Sequence, residues 1–152
     1  MENKSDKDEA LPNFTFCNKE LPESLDPDEI FIKLADAFKN EPHLLKASAD
    51  ELKESFTRGL SMIVFDAGKP VAHTRLVPLT EENGQMWYEL GSTWVDSIYR
   101  GHGLNHRMYK AFLPSHDDKN ILATTTNERS LTVGKDLGFV LVPRKALPEA
   151  VW

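Results

Sequence analysis

Three β-forming runs stand almost back to back in the middle of the chain, and the links between them are too short for anything but antiparallel pairing. Residues 60–65, 71–77 and 86–95 are rich in β-branched and aromatic side chains. Asp66-Ala67-Gly68-Lys69-Pro70 separates the first two runs, and Thr80-Glu81-Glu82-Asn83-Gly84 separates the second pair. Both links carry turn chemistry. A parallel connection needs about a dozen residues or more, so the three runs form an antiparallel meander.

The flanks have helical spacing. Asp26-Pro27-Asp28-Glu29 offers a capping side chain, a proline for the first turn and acids at the positive end of the dipole. Ile30, Phe31, Leu34, Ala35 and Phe38 follow on one stripe. Ser48-Ala49-Asp50-Glu51 fits a capping box and opens a second helix with Leu52, Ser55 and Phe56 along it. A short strand is expected at 13–17, ahead of both helices, and residues 1–12 read as a mobile polar tail.

Beyond Tyr99, Leu104, Met108, Ala111 and Phe112 share a helical stripe that ends before Pro114. Residues 120–126 read as a strand, 129–137 as a helix stopping at Gly138, and 139–142 as a last strand. The order places a parallel crossover after residue 95, so the fold class is α/β (α+β), one domain over 13–152.

Composition narrows the function. The 18 Lys and Arg against 24 Asp and Glu give a net charge of −6, which disfavours nucleic acid as a partner. Residues 1–54 hold 14 acids and 7 bases, while 55–152 hold 10 acids and 11 bases. An anion site therefore belongs in the second half. No apolar run approaches the roughly 20 residues of a membrane span, and the first residues lack a signal-peptide stretch, so a cytoplasmic location is expected. One cysteine, Cys17, provides no internal disulfide and no cysteine zinc cage. His102 and His106 have metal-compatible spacing but no evident third ligand, and no metal is expected.

The chemistry concentrates in Val95-Asp96-Ser97-Ile98-Tyr99-Arg100-Gly101-His102-Gly103-Leu104-Asn105. A strand ends, a loop with two glycines follows, and a helix begins. Glycines admit close backbone approach, and the first amides of a helix have no internal partner. Together they make a nest for phosphate at the carboxyl end of a strand. The same glycines also suit a plain tight turn. The pattern is neither a dinucleotide fingerprint nor a Walker loop.

This segment resembles the acetyl-coenzyme-A signature of the GNAT N-acetyltransferase superfamily, Arg/Gln-x-x-Gly-x-Gly/Ala, with Arg100, Gly103 and Asn105 at its fixed positions. Asn127, Ser130, Leu137, Gly138 and Phe139 are similar to the family's Asn-x-x-Ala … Leu-Gly-Phe pattern. The resemblance implies the acyl-CoA N-acyltransferase fold, a mixed, mostly antiparallel twisted sheet of six to seven strands with about four helices. It implies acetyl-CoA as acetyl donor and direct attack by a primary amine. It assigns cofactor contacts to Trp94, Val95, Arg100, Gly101, His102, Gly103, Leu104, Asn105 and Asn127, with backbone amides around Trp94 and Val95 holding the oxyanion. Glu89, six residues before Val95, stands where the histone-acetylating branch places its catalytic base. Strand alternation would put Glu89 on one face with Gly91, Thr93 and Val95, and an ion pair or solvated position is the plainer role for it.

Two residues depart from the family pattern. Asn105 replaces the small residue that ends the signature, and Gly134 replaces a tyrosine that protonates the departing thiolate. Tyr99 and Tyr109 are candidate substitutes, with loop anchoring and helix packing as their plainer roles. Leu147-Pro148-Glu149-Ala150-Val151-Trp152 resembles the ending of small relatives near N-acetylglutamate synthases, a pointer to an amino acid acceptor. The expected activity is N-acetylation of a small-molecule amine or amino acid. A non-catalytic acyl-CoA sensor and a protein or peptide N-acetyltransferase are the alternatives. An open sheet edge would suit a homodimer.

Overall fold

Two hairpin turns organise the sheet. The computed structural model describes residues 13–42, 44, 46–124 and 128–149, so the tail assigned to 1–12 lies outside the described residues. Strands β1 (Phe14–Cys17), β2 (Ser61–Asp66), β3 (Lys69–Glu82), β4 (Gln85–Val95) and β5 (Asn120–Leu122) form one sheet in the order β1-β2-β3-β4-β5. The β2–β3 turn carries Ala67 (φ +49°) and Gly68 (φ +83°), and the β3–β4 turn carries Asn83 (φ +53°) and Gly84 (φ +78°). Positive φ at both central residues gives the two-residue turn whose twist matches its strands. The expected turn over Thr80–Gly84 shrinks to its last two residues, and β3 runs on to Glu82.

The helices are α1 (Pro27–Lys39), α2 (Ala49–Thr57), α3 (Leu104–Phe112) and α4 (Glu128–Asp136), four as expected. Asp26 caps α1 by accepting from the Asp28 N–H at 3.2 Å, and Ser48 caps α2 by accepting from Glu51 at 3.1 Å. The first four strands pair antiparallel and β4 with β5 parallel, so α3 is the crossover.

The expectation of six to seven strands is not met: five are present among the described residues. Residues 139–142 have no strand partner among the described residues, and Val140, Leu141 and Val142 are 79%, 69% and 46% exposed. Apolar character favours a strand there, but a strand requires a neighbouring edge to bond. β5 itself is three residues long, and Thr125 and Thr126 of the expected 120–126 strand lie outside the described residues.

Each face of the sheet has its own core. On one, the whole α1 stripe (Ile30, Phe31, Leu34, Ala35, Phe38) packs with Leu52 and Phe56 of α2 onto Ile63, Phe65 and Trp94. On the other, Leu104, Met108 and Phe112 of α3 cover Met62, Val64, Val71 and Leu76. Ala111, expected on that stripe, is exposed. Strand β2 is buried on both faces, which is why 62–65 is an unbroken apolar run.

Phe38 is fully buried, its ring 5.2 Å from His73 and 6.4 Å from Trp94. Phe38→Ala is expected to cost about 3–5 kcal/mol. Denaturant unfolding should show a lower midpoint with an unchanged slope.

Candidate active site

Strands β4 and β5 touch only briefly. Their parallel register covers Trp87↔Asn120, Tyr88↔Ile121 and Glu89↔Leu122. From Leu90 to Val95 the β5-side edge of β4 has no strand partner among the described residues. Glu89 therefore sits at the fork where the two strands part. It is half-buried and lies opposite Val77 of β3. An ideal Cβ built on Gly91 would lie 3.7 Å from Glu89 Oε1, so the carboxylate leans over Gly91.

Within that bare stretch β4 carries a bulge. His73 pairs with Trp94 and Arg75 with Gly91, so Thr74 faces two residues, Ser92 and Thr93. Ser92 has φ +50°, a left-handed conformation unusual for a serine. Both faces hold it. On the α1/α2 face, His73 Nδ1–H donates to the Ser92 carbonyl at 2.9 Å and Arg75 Nε–H donates to Ser92 Oγ at 3.0 Å. On the α3 face, Thr93 Oγ1 accepts from the Tyr109 hydroxyl at 2.8 Å and lies 2.9 Å from Thr74 Oγ1.

The bulge reverses the side-chain parity. Tyr88 and Leu90 pack on the α3 core, which leaves Glu89 and Gly91 on the α1/α2 face. Thr93 and Val95 nevertheless turn to α3, and Trp94 to the α1/α2 core. Glu89 thus shares a face with Gly91 but not with Thr93 and Val95, because the extra residue adds a half-period that alternation alone does not foresee.

The bulge also sets backbone direction. The Asp96 N–H donates to the Val71 carbonyl at 2.9 Å. By ladder alternation, Trp94 also directs its N–H toward β3, and Val95 directs its polar groups to the open side. The Val95 carbonyl is taken there by Arg100 Nε–H at 2.8 Å.

A 3₁₀ turn (Ser97–Tyr99) leads to the glycine loop. Tyr99 donates its hydroxyl to the Asp66 carboxylate, a bond that raises the phenol above its ordinary range. Gly101 (φ +83°) and Gly103 (φ +71°) are left-handed, and a Cβ on either would meet nothing within 4 Å. Gly103 is the N-cap of α3 and offers no side-chain acceptor, so the first-turn amides face open space. His102 and Asn105 are exposed, whereas the Leu104 side chain is 2% exposed in the α3 core and can contribute only its backbone. Arg100 does not lie free beside the loop: Nη2–H donates to Glu41 Oε1 at 2.6 Å.

Other residues singled out in the sequence fall into place. Asn127 lies outside the described residues. Gly134 is in α4, where it brings no titratable group. Tyr109 packs from α3, and burial raises its phenol. His106 bonds Asp136 of α4 through Nε2 at 2.7 Å. Burial raises the Cys17 thiol, as suits an inert small side chain. Arg75, Ser92 and Glu41 escaped the sequence reading. Arg75 left a trace, as the lone charged side chain in 71–77. Ser92 and Glu41 left none, because bulges and loop contacts have no period.

The arrangement fits a phosphate-bearing ligand with an extended arm. Left-handed glycines before unpaired helix amides are the kind of backbone that binds anions, and a strand edge without a partner offers main-chain groups to an extended ligand.

The family model described as "Acetyltransferase (GNAT) family" matches residues 25–139. Among solved structures, the chain is similar to the NatC complex bound to Gag peptide and CoA (16% identity, TM-score 0.65, 86% of each chain covered). It is similar to Arabidopsis thaliana Naa50 in complex with a bisubstrate analogue (15% identity, TM-score 0.61, 86% and 85% covered). It also resembles Neisseria gonorrhoeae N-acetylglutamate synthase complexed with coenzyme A and N-acetyl-glutamate (14% identity, TM-score 0.61), spanning 30% of that chain with 90% of its own. At these identities the likeness is one of fold. No curated protein sequence gives a significant match.

His73 is 1% exposed, and burial lowers its pKa from 6.5 to about 4. The unfolded chain takes up a proton between these values while the native state does not, so stability falls as pH drops through that window. The loss amounts to roughly 3 kcal/mol at most, at 1.36 kcal/mol per unit. Denaturant unfolding from pH 7 to 4 should show this slope, and His73→Gln should flatten it.

Proposed function

The chain belongs to the GNAT acetyltransferase family, and on that premise we propose that it transfers an acetyl group from acetyl-CoA to the primary amine of a small molecule or amino acid. The observation that carries the reading is the position of Glu89, at the fork between β4 and β5, on the face opposite the α3 core and one bulge away from the glycine loop.

The donor, when bound, supplies an acetyl group activated as a thioester. Amides from Gly101 to Asn105 hold its diphosphate, and the open edge of β4 aligns its arm beside Val95. The Val95 N–H, directed away from β3, donates to the charge that develops on the acyl oxygen. Glu89 accepts the proton that the amine loses as its nitrogen bonds to the acyl carbon, directly or through one water. The carbon–sulfur bond breaks as that bond is completed. Gly134 offers no acid, and Tyr99 and Tyr109 are engaged by Asp66 and Thr93, so the sulfur takes its proton from solvent. Asn105 presents its backbone amide to the diphosphate while its side chain stays in water.

Glu89→Gln removes the proton acceptor and keeps shape. It should lower kcat about 10²- to 10⁴-fold while acetyl-CoA still raises the melting temperature. Full activity in this variant, measured by thiol release over an amine panel, would remove Glu89 from the mechanism. Stabilisation by acetyl-CoA with no turnover on any amine would favour a sensor role.

A further inference from the structure

We infer that Arg75 binds a carboxylate carried by the acceptor, so that the substrates are small amines bearing a free carboxylate, α-amino acids foremost. The inference rests on the acetyl-transfer reading and names the substrate class of the same site.

Arg75 lies mid-way along β3, half-buried, on the α1/α2 face. It borders a cavity of about 210 Å³ between β3 and α2, shared with Ser55, Arg58, Glu51, Glu54 and Val77. Its bonds inside the protein go to neutral hydroxyls, Nε–H to Ser92 Oγ at 3.0 Å and Nη1–H to Ser55 Oγ at 3.3 Å. Among the described residues no carboxylate comes within 4.0 Å of it. Glu54 is turned to Arg58 at 3.9 Å, and Glu51 acts on Arg75 only through its field.

A guanidinium has five N–H donors in a planar fork, and two are used here. Burial lowers its pKa, against the opposing field of Glu51, yet an arginine keeps its charge in a protein. The partner that best satisfies such a group is a planar oxyanion bound through two N–H groups. Among the described residues nothing fills that role.

The register places this cation beside the base. Arg75 pairs with Gly91 and Val77 with Glu89, so Arg75 and Glu89 are diagonal neighbours on one face, about 7–8 Å apart along the diagonal. Glycine at 91 leaves the space between them clear, and Glu89 Oε1 leans over it. An α-amino acid carries its ammonium and carboxylate on one carbon. Placed there, it sets the nitrogen at Glu89, by the strand fork, and the carboxylate at Arg75, by the cavity. Arg58 and the two glutamates at the outer wall are left to the rest of the acceptor.

The test compares L-amino acids with the matching L-amino acid amides, which keep the amine, lose the negative charge and stand in for a peptide N-terminus. Thiol release should give a kcat/KM at least tenfold higher for acids than for amides. This preference runs against basicity, since the amide's amine deprotonates more readily. Arg75→Gln should abolish the preference through KM, and Arg75→Lys, which retains charge without the fork, should restore part of it. Circular dichroism checks the fold. Should Arg75→Gln not fold, Arg75→Lys and the wild-type comparison carry the decision. Equal use of acids and amides by the wild type, or an equal loss on both in Arg75→Gln, overturns the inference and leaves amine acetylation standing. Calorimetric titration of the CoA-loaded protein separates the reverse case. Acid-selective binding that Arg75→Gln destroys, without turnover of any amine, sustains the Arg75 site and overturns acetyl transfer. Neither binding nor turnover overturns both.

Discussion

The extra residue in β4 is the constraint on which the site depends. Ser92 holds a left-handed backbone at a cost of order 1–3 kcal/mol, and it is fastened from both faces of the sheet. Without the bulge, Glu89, Gly91, Thr93 and Val95 would share one face, with the Glu89 carboxylate and the polar Thr93 cluster in one environment. With it, Glu89 and Arg75 lie on the α1/α2 face, while Thr93 and Val95 look toward α3. The strand thus presents side chains to two surfaces, the α1/α2 face and the helix that follows the glycine loop.

The fastenings show how the core supports this geometry. His73 is buried and neutral, its Nδ1 proton committed to Ser92, and its ring rests against Phe38 of α1. Arg75 ties the same serine to Ser55 of α2. The bulge is therefore coupled to both helices of one core. Arg100 plays a comparable part across the cleft, joining the Val95 carbonyl to Glu41 beyond α1. Its exposed ion pair contributes little to stability, but it ties the chain just beyond α1 to the start of the glycine loop.

Much of this was legible in the chain. The hairpins were visible at Ala67-Gly68 and Asn83-Gly84, because few residues accept positive φ. The α1 stripe and both helix caps were visible, because period and capping are local. The glycine loop was visible because its chemistry is confined to consecutive residues. The strand expected at 139–142 failed for a non-local reason: among the described residues, apolar side chains there find no edge to join. The parity of Glu89 failed for another, since a bulge is selected by what packs on both sides of a strand.

The sequence by itself determined the order of elements as far as α4, the meander and the crossover, all of which follow from periodicity, turn residues and helix ends. It also supplied the residues that resemble a known acetyl-donor signature. Only the tertiary structure decided which face of β4 carries Glu89, where β4 and β5 part, and that Arg75 stands diagonally across from Glu89 with no acid paired to it among the described residues. These are relations between residues distant in the chain, created when two cores press on one sheet from opposite sides.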